Sequence, residues 1–186
     1  YQKLTGGMLA EWEGRRLPLP QLQPFLKHAD RAVRERAWRA WNAPYVAARH
    51  ELEQLFNRML ALRQQVARNA GFASYRDYVF PAKNRFDYTP EDCARFHDAV
   101  ARRVMPAYER LMAYRRDRLG VATLRPWDLA VELHGDAPVR PFGDGEELAA
   151  RSHAVFQRVD PALGAEFDTM RTERLLDLDS REGKGP

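Results

Sequence analysis

The sequence predicts an all-α fold, mainly long antiparallel helices, with a minor β-hairpin strand near the C-terminus. Three observations carry that expectation. Ala, Arg, Leu, Glu and Gln, all good helix formers, fill long stretches of the chain. Apolar residues recur within them at three- and four-residue steps. Punctuation falls where such runs start and stop, with Thr89 at a start and Gly71 and Gly120 at ends. The 186 residues suffice for one domain with a sizeable core and read as a single helical region, 1–186.

At the start, "YQKLTGGMLAEWEG" reads as the tail of a helix running into a break at Gly14. From Asp30 to Ala70 helix formers dominate, and Leu52, Leu55, Phe56, Met59, Leu62 and Val66 mark a stripe expected to be buried. Pro44 is expected to kink or divide this stretch, because proline removes an amide donor and crowds the preceding turn. A short helix around Ser74–Val79 follows, then a loop carrying Pro81 and Asn84.

Thr89-Pro90-Glu91-Asp92 opens the next helix with a capping hydroxyl, a proline at the first helical position and two acids at the positive end of the dipole. Phe96, Val100, Val104, Tyr108, Leu111 and Met112 form its apolar side, and Pro106 is expected to bend it. "LRPWDL", Leu124 to Leu129, leads into an irregular stretch ending near Gly145, followed by helices around Glu146–Val159 and Ala162–Arg171. In "RLLDLDSREGKGP", Leu176 to Asp179 alternate apolar and charged at the period of a half-buried strand, and the residues from Arg181 read as a turn. Leu176 and Leu178 are then expected to face helices and Asp177 and Asp179 to face outward. A strand and turn call for a returning strand, so the chain reads as an internal segment, with the residues from about Arg181 poorly ordered or held by a neighbouring chain.

The formal charge of +4 reflects an excess of Arg over Lys spread along several helices, the pattern of solvated faces rather than of a clustered nucleic-acid footprint. No apolar run approaches the roughly 18 residues needed to span a bilayer. One cysteine, Cys93, cannot form an internal disulfide; it fits a reducing, cytoplasmic setting and reads as a buried thiol. Trp38 and Trp41, three apart among arginines, read as packing anchors; stacking on nucleobases is the other use of such a pair.

No residue set here has the spacing of a catalytic centre. The five histidines are scattered, and "HELEQ", His50 to Gln54, places Gln where a zinc-binding H-E-x-x-H needs its second imidazole. No nucleophile elbow, phosphate-binding glycine loop or Cys/His nucleophile pair is found in the sequence. Asp177 and Asp179 can be imagined as paired acids and read more simply as a solvated or salt-bridged face.

The order of segments nevertheless resembles the zinc metallopeptidases of the oligoendopeptidase F and thimet oligopeptidase family. "LKHADRAVRERAW" is similar to the Asp-Arg and Arg-x-x-Ala pattern of their long helix, and "ARNAGFASYRDYVF" to the Gly-aromatic-x-Ser segment after it. "YTPEDCARFHDAV" and "MPAYERL" resemble the next helix with its internal proline, "RPWDL" the aromatic-Asp element, and "LLDLDSREGKGP" the hairpin shortly before the zinc motif.

The resemblance implies the helical, substrate-channel portion of an oligopeptidase that hydrolyses short peptides. Its zinc ligands and general base would lie after residue 186, so this chain by itself would hold no zinc, contain no catalytic residue and be inactive. Trp127, Asp128 and Lys184 match family-like positions near the cleft, with a buried aromatic, a helix cap and a plain turn residue as their structural alternatives, and Asp177 and Asp179 join them as substrate-cleft candidates. The implied partner is an oligopeptide, with neither nucleic acid nor a membrane; the sequence does not define an oligomeric state. The competing reading is an arginine-rich helical module that docks nucleic acid or an acidic partner.

Overall fold

The structure, a computed structural model, describes residues 1–134 and 140–184. Its α-helices are α1 Gln2–Gly6, α2 Arg31–Ala47, α3 Arg49–Asn69, α4 Tyr75–Ala82, α5 Pro90–Ala99, α6 Met105–Leu119, α7 Gly145–Val159 and α8 Pro161–Thr172. Local chemistry accounts for most of their ends. Asp30 caps α2 by accepting the Ala32 amide, Ser74 caps α4, and Asp160 caps α8. Thr89 and Asp92 form a reciprocal capping box on α5. Gly120, at φ +63°, takes the left-handed conformation that closes α6.

Pro44 and Pro106 lie within helical stretches, and Pro81, expected in a loop, sits inside α4. Pro44 lies inside α2, and the division into two helices falls four residues later at Ala48. Before Pro106 the backbone widens into a π turn, Val100–Val104, in which the Met105 amide donates to Val100 O. The extra residue accommodates a ring that would clash with a regular α-helical turn.

The expected β-hairpin strand near the C-terminus is corrected. Residues 176–179 form no strand, and the hairpin lies near the N-terminus, where β1 Leu9–Trp12 pairs antiparallel with β2 Arg15–Pro18. Glu13 and Gly14 make the two-residue turn with φ of 49° and 75°, both in the left-handed region that twists a tight hairpin correctly. The Gly14 break expected to end a helix is the second residue of this turn. Residues 176–179 lack a strand because their polar groups find other partners, described below.

Ala10 and Trp12 point inward from β1 at the two-residue period and join Met8, Leu19, Leu22 and Ala37 in the buried core. Leu19 and Leu22 belong to a 3-10 helix, Leu19–Lys27, that follows β2 directly. Trp41 packs against this core from α2, and Trp38 meets Trp127 with ring centroids 5.5 Å apart, so both tryptophans are packing anchors.

The expected apolar stripe of α3 is only partly covered. Leu52, Leu55 and Met59 are half-buried, whereas Phe56, Leu62 and Val66 are 55%, 66% and 43% exposed. The α5–α6 face is similarly open at Phe96, Val104, Tyr108 and Leu111, and Cys93 is half-buried rather than enclosed. Helical period specifies which face is apolar; it does not supply the surface that covers it.

Candidate functional site

The five candidate residues fall into two clusters, with no hydrogen bond or ion pair joining them among the described residues. The first is built on the N-terminal turn of α2. Arg31 and Arg34, three residues apart, project from one face of the helix toward the 3-10 turn Pro126–Asp128. Arg31 Nε and Nη2 donate to Asp128 Oδ1 and Oδ2 at 2.9 and 2.8 Å, a bidentate pair. Arg34 Nη2 adds a bond to Oδ1 at 3.2 Å, and the Arg125 amide donates to Oδ2 at 2.9 Å.

Asp128 is fully buried. Four donors occupy its carboxylate, close to the capacity of such a group. The Arg31 hydrogen bond, with help from the Arg125 amide and Arg34, outweighs burial and holds its pKa down to about 2. A carboxylate so acidic and so fully engaged is a poor general base.

The same guanidinium groups hold the surrounding backbone. Arg34 Nε donates to Trp127 O at 2.9 Å, and its Nη1 donates to His28 O and Ala29 O at 2.9 and 2.8 Å. Arg115, from α6, donates to Asp128 O and Val131 O at 3.1 and 2.9 Å. Trp127 is buried against Trp38, with the Arg39 and Arg31 guanidinium carbons 5.2 and 6.0 Å from its ring centroid. Sequence reasoning singled out Trp127 and Asp128 and missed the roles of Arg31, Arg34 and Arg115. The arginine spacing in "DRAVRE" is the one local signal for the first two.

The second cluster is the turn Asp177–Lys184. Lys184 Nζ donates to Asp177 O at 2.5 Å and Asp179 O at 2.9 Å, and lies 3.4 Å from Asp177 Oδ1. These acceptors match the three donors of an ammonium group. Arg181 Nη1 donates to Asp177 Oδ1 at 2.5 Å, and that bond, helped by Lys184, lowers the Asp177 pKa while raising that of Arg181.

This turn is held by the chain's own N-terminal elements. The Gly183 amide donates to Gly6 O at 2.9 Å, and Gln21 Nε2 donates to Ser180 O at 3.3 Å. Residues 181–184, expected to be poorly ordered or held by a neighbour, are thus anchored within the chain; Gly185 and Pro186 lie outside the described residues. Leu176 is half-buried, but Leu178 is 42% exposed, so the expected two-faced pattern holds only in part. Asp177 and Asp179 are exposed. Asp179 approaches the start of α7 so closely that a side chain on Gly145 would meet its Oδ1 at 2.8 Å. The positive end of the helix dipole suits a carboxylate there.

Among the described residues no group of three His, Cys, Asp or Glu side chains is arranged to hold a metal ion. His50 Nε2 and Gln54 Nε2 lie 2.8 Å apart on an exposed helix face, where a zinc-binding pair would need a second imidazole. These residues do not fit a zinc site.

Comparison with known proteins places this architecture. The model of peptidase family M3 matches residues 25–137, more than half of the chain. Oligopeptidase A of Salmonella typhimurium (strain LT2) and of Escherichia coli (strain K12) are each 27% identical over 124 residues, covering 61% of this chain and 18% of theirs. PZ peptidase A, solved with an inhibitor, superposes with a TM-score of 0.88 at 27% identity, covering 100% of this chain and 33% of that one. A Bacillus anthracis (strain Ames) protein assigned as oligoendopeptidase F gives the same TM-score at 24% identity, covering 34% of its chain, and speaks for the fold alone. The chain spans less than a fifth of the curated relatives and about a third of the solved chains.

Proposed function

This chain belongs to peptidase family M3, and from that premise we propose that it forms the helical substrate-channel portion of a zinc-dependent oligopeptidase acting on short peptides. The observation that carries the proposal is the superposition of the whole chain on one third of PZ peptidase A, together with the family match across α2 to α6. In this reading the metal and the general base belong to residues outside the chain. The 186 residues by themselves would then be inactive and hold no zinc.

The described residues contribute positioning in this proposal. Trp127 and Asp128 support a channel wall from behind, with the partly exposed Arg31 at its edge. The Asp177–Lys184 turn, whose ammonium donors are spent on its own acceptors, fixes the direction in which the polypeptide leaves toward the metal centre. Helical walls would admit oligopeptides and exclude folded proteins.

An arginine-rich docking module is less well supported. Arg39, Arg49 and Arg151 each pair with a glutamate one helical turn away, and Arg95 pairs with Asp92, so these arginines are engaged with acids of their own helices. The test is the continuation of the polypeptide in its gene. The proposal expects H-E-x-x-H within about a hundred residues after Pro186. A continuation of that length lacking the motif contradicts it.

A further inference from the structure

A pocket of about 130 Å³ lies where the terminal turn docks onto the N-terminal elements. The Gly183 amide, bonded to Gly6 O at 2.9 Å, holds Arg181 and Lys184 over the gap between α1, the 3-10 helix and α2. The walls are apolar: Met8 and Leu19 are buried, and Trp41 and Tyr45, four apart on one face of α2, are half-buried. Gln23 and Arg181 stand exposed at the polar side, and no acid lines the pocket among the described residues. We propose that this pocket binds the C-terminal residue of a short peptide, with a branched aliphatic side chain against Met8, Leu19, Trp41 and Tyr45 and its carboxylate on Arg181. The inference rests on the oligopeptidase reading for the choice of a peptide and adds to it a site on this chain's own residues.

Size, charge and hydrogen bonding select this ligand. With ~30 Å³ for each water, the pocket holds about four water-sized groups, which suits an isopropyl or isobutyl side chain and is too little for an indole. Arg181 is the partner of the anion. It gives one N–H to Asp177, and its side chain is 59% exposed, so an edge of the guanidinium remains to take a carboxylate side-on. Lys184 also lines the pocket and adds positive charge, but its three donors are spent on the turn. The Gln23 amide, which both donates and accepts, matches the last peptide group of such a ligand. An internal stretch of peptide would bring no charge to Arg181. An apolar pocket with a few placed polar groups is the usual form of a site that fixes the orientation of a small ligand.

The test uses the full-length protein, isotopically labelled at its methionine methyl groups and observed by NMR, with acetyl-leucine, acetyl-leucinamide and acetyl-glycine as probes. Acetyl-leucine should shift the Met8 methyl resonance with a dissociation constant on the order of a millimolar, and its own methyl groups should show magnetisation transfer to Met8. Acetyl-leucinamide, which lacks the charge, and acetyl-glycine, which lacks the side chain, should each bind about fivefold or more weakly. Arg181→Gln should abolish the preference for acid over amide and leave binding of the amide unchanged. A Met8 methyl that acetyl-leucine does not move overturns the proposal, as do equal affinities for acid and amide in the unaltered protein. Binding should persist after metal is stripped with a chelator; loss of the Met8 shift on that treatment assigns the effect to a metal centre and also overturns it. The acid-to-amide comparison and the magnetisation transfer need no variant, so a misfolded Arg181→Gln protein leaves both in force. No arm measures hydrolysis, so a protein that binds acetyl-leucine at Met8 yet cleaves no peptide counts against the peptidase reading alone.

Discussion

Arg34 meets Asp128 across 94 positions of sequence, Nη2 to Oδ1 at 3.2 Å, with side-chain exposures of 3% and 0%. An ion pair so far from water is sustained only when both partners are otherwise satisfied. Here they are: Arg34 also holds three carbonyls, and Asp128 also accepts from Arg31 and the Arg125 amide. The pair locks the Pro126–Asp128 turn to the start of α2, and Arg115 extends that lock to α6.

Replacing one partner should therefore cost far more than a surface ion pair would. Asp128→Ala leaves the buried Arg34 guanidinium without its counter-charge, and a loss of about 3–5 kcal/mol is expected in chemical denaturation. Glu35→Ala removes only the exposed pair with Arg39 and should cost less than about 1 kcal/mol.

Acid should weaken the same lock. The Asp128 carboxyl has a pKa of about 2 in the fold against 3.8 for the free group, so the unfolded chain binds the proton more readily. Its contribution, on the order of 2 kcal/mol, is complete above about pH 4 and is lost as pH falls toward 2. Denaturation midpoints measured across that window should fall with pH in the native protein and fall less steeply in Asp128→Asn.

Removing the Lys184 ammonium should loosen the terminal turn without disturbing the helices. In Lys184→Met the carbonyls of Asp177 and Asp179 lose their shared donor. Amide exchange at Gly183, whose N–H is bonded to Gly6 O, should accelerate, while exchange within α2 and α3 stays unchanged.

The N-terminal hairpin depends on a left-handed backbone at Gly14. A methyl group there meets nothing within 4 Å, so Gly14→Ala tests conformation alone and should cost about 1 kcal/mol. Glu13→Asn, which suits the first position of the turn, should recover a few tenths of a kcal/mol. Thermal unfolding of the single and double variants measures both.

What was legible in the sequence is what local chemistry decides. The capping box at Thr89, the glycine at 120 and the three- and four-residue periods of α3 and α5 act within one or two turns, and the helices follow them. The hairpin escaped notice because its strands are four residues long, hold helix formers such as Leu, Ala and Glu, and turn on Glu13 where Asn or Asp is usual. Among the candidate residues, Trp127 and Asp128 stood out by resemblance. Their partners Arg31 and Arg34 lie more than 90 positions away, a distance no local pattern encodes. The apolar stripe of α3 was readable as a stripe, but its burial was not, since cover is a property of what packs against it.

The central claim, that the chain is part of a zinc-dependent oligopeptidase, is tested most directly by peptide cleavage with the full-length protein. An internally quenched peptide of about ten residues should be cut, the activity should disappear with a chelator and return with zinc, and residues 1–186 alone should cut nothing. Failure of the full-length protein to cut such peptides, or cleavage that survives complete removal of metal, would contradict the account.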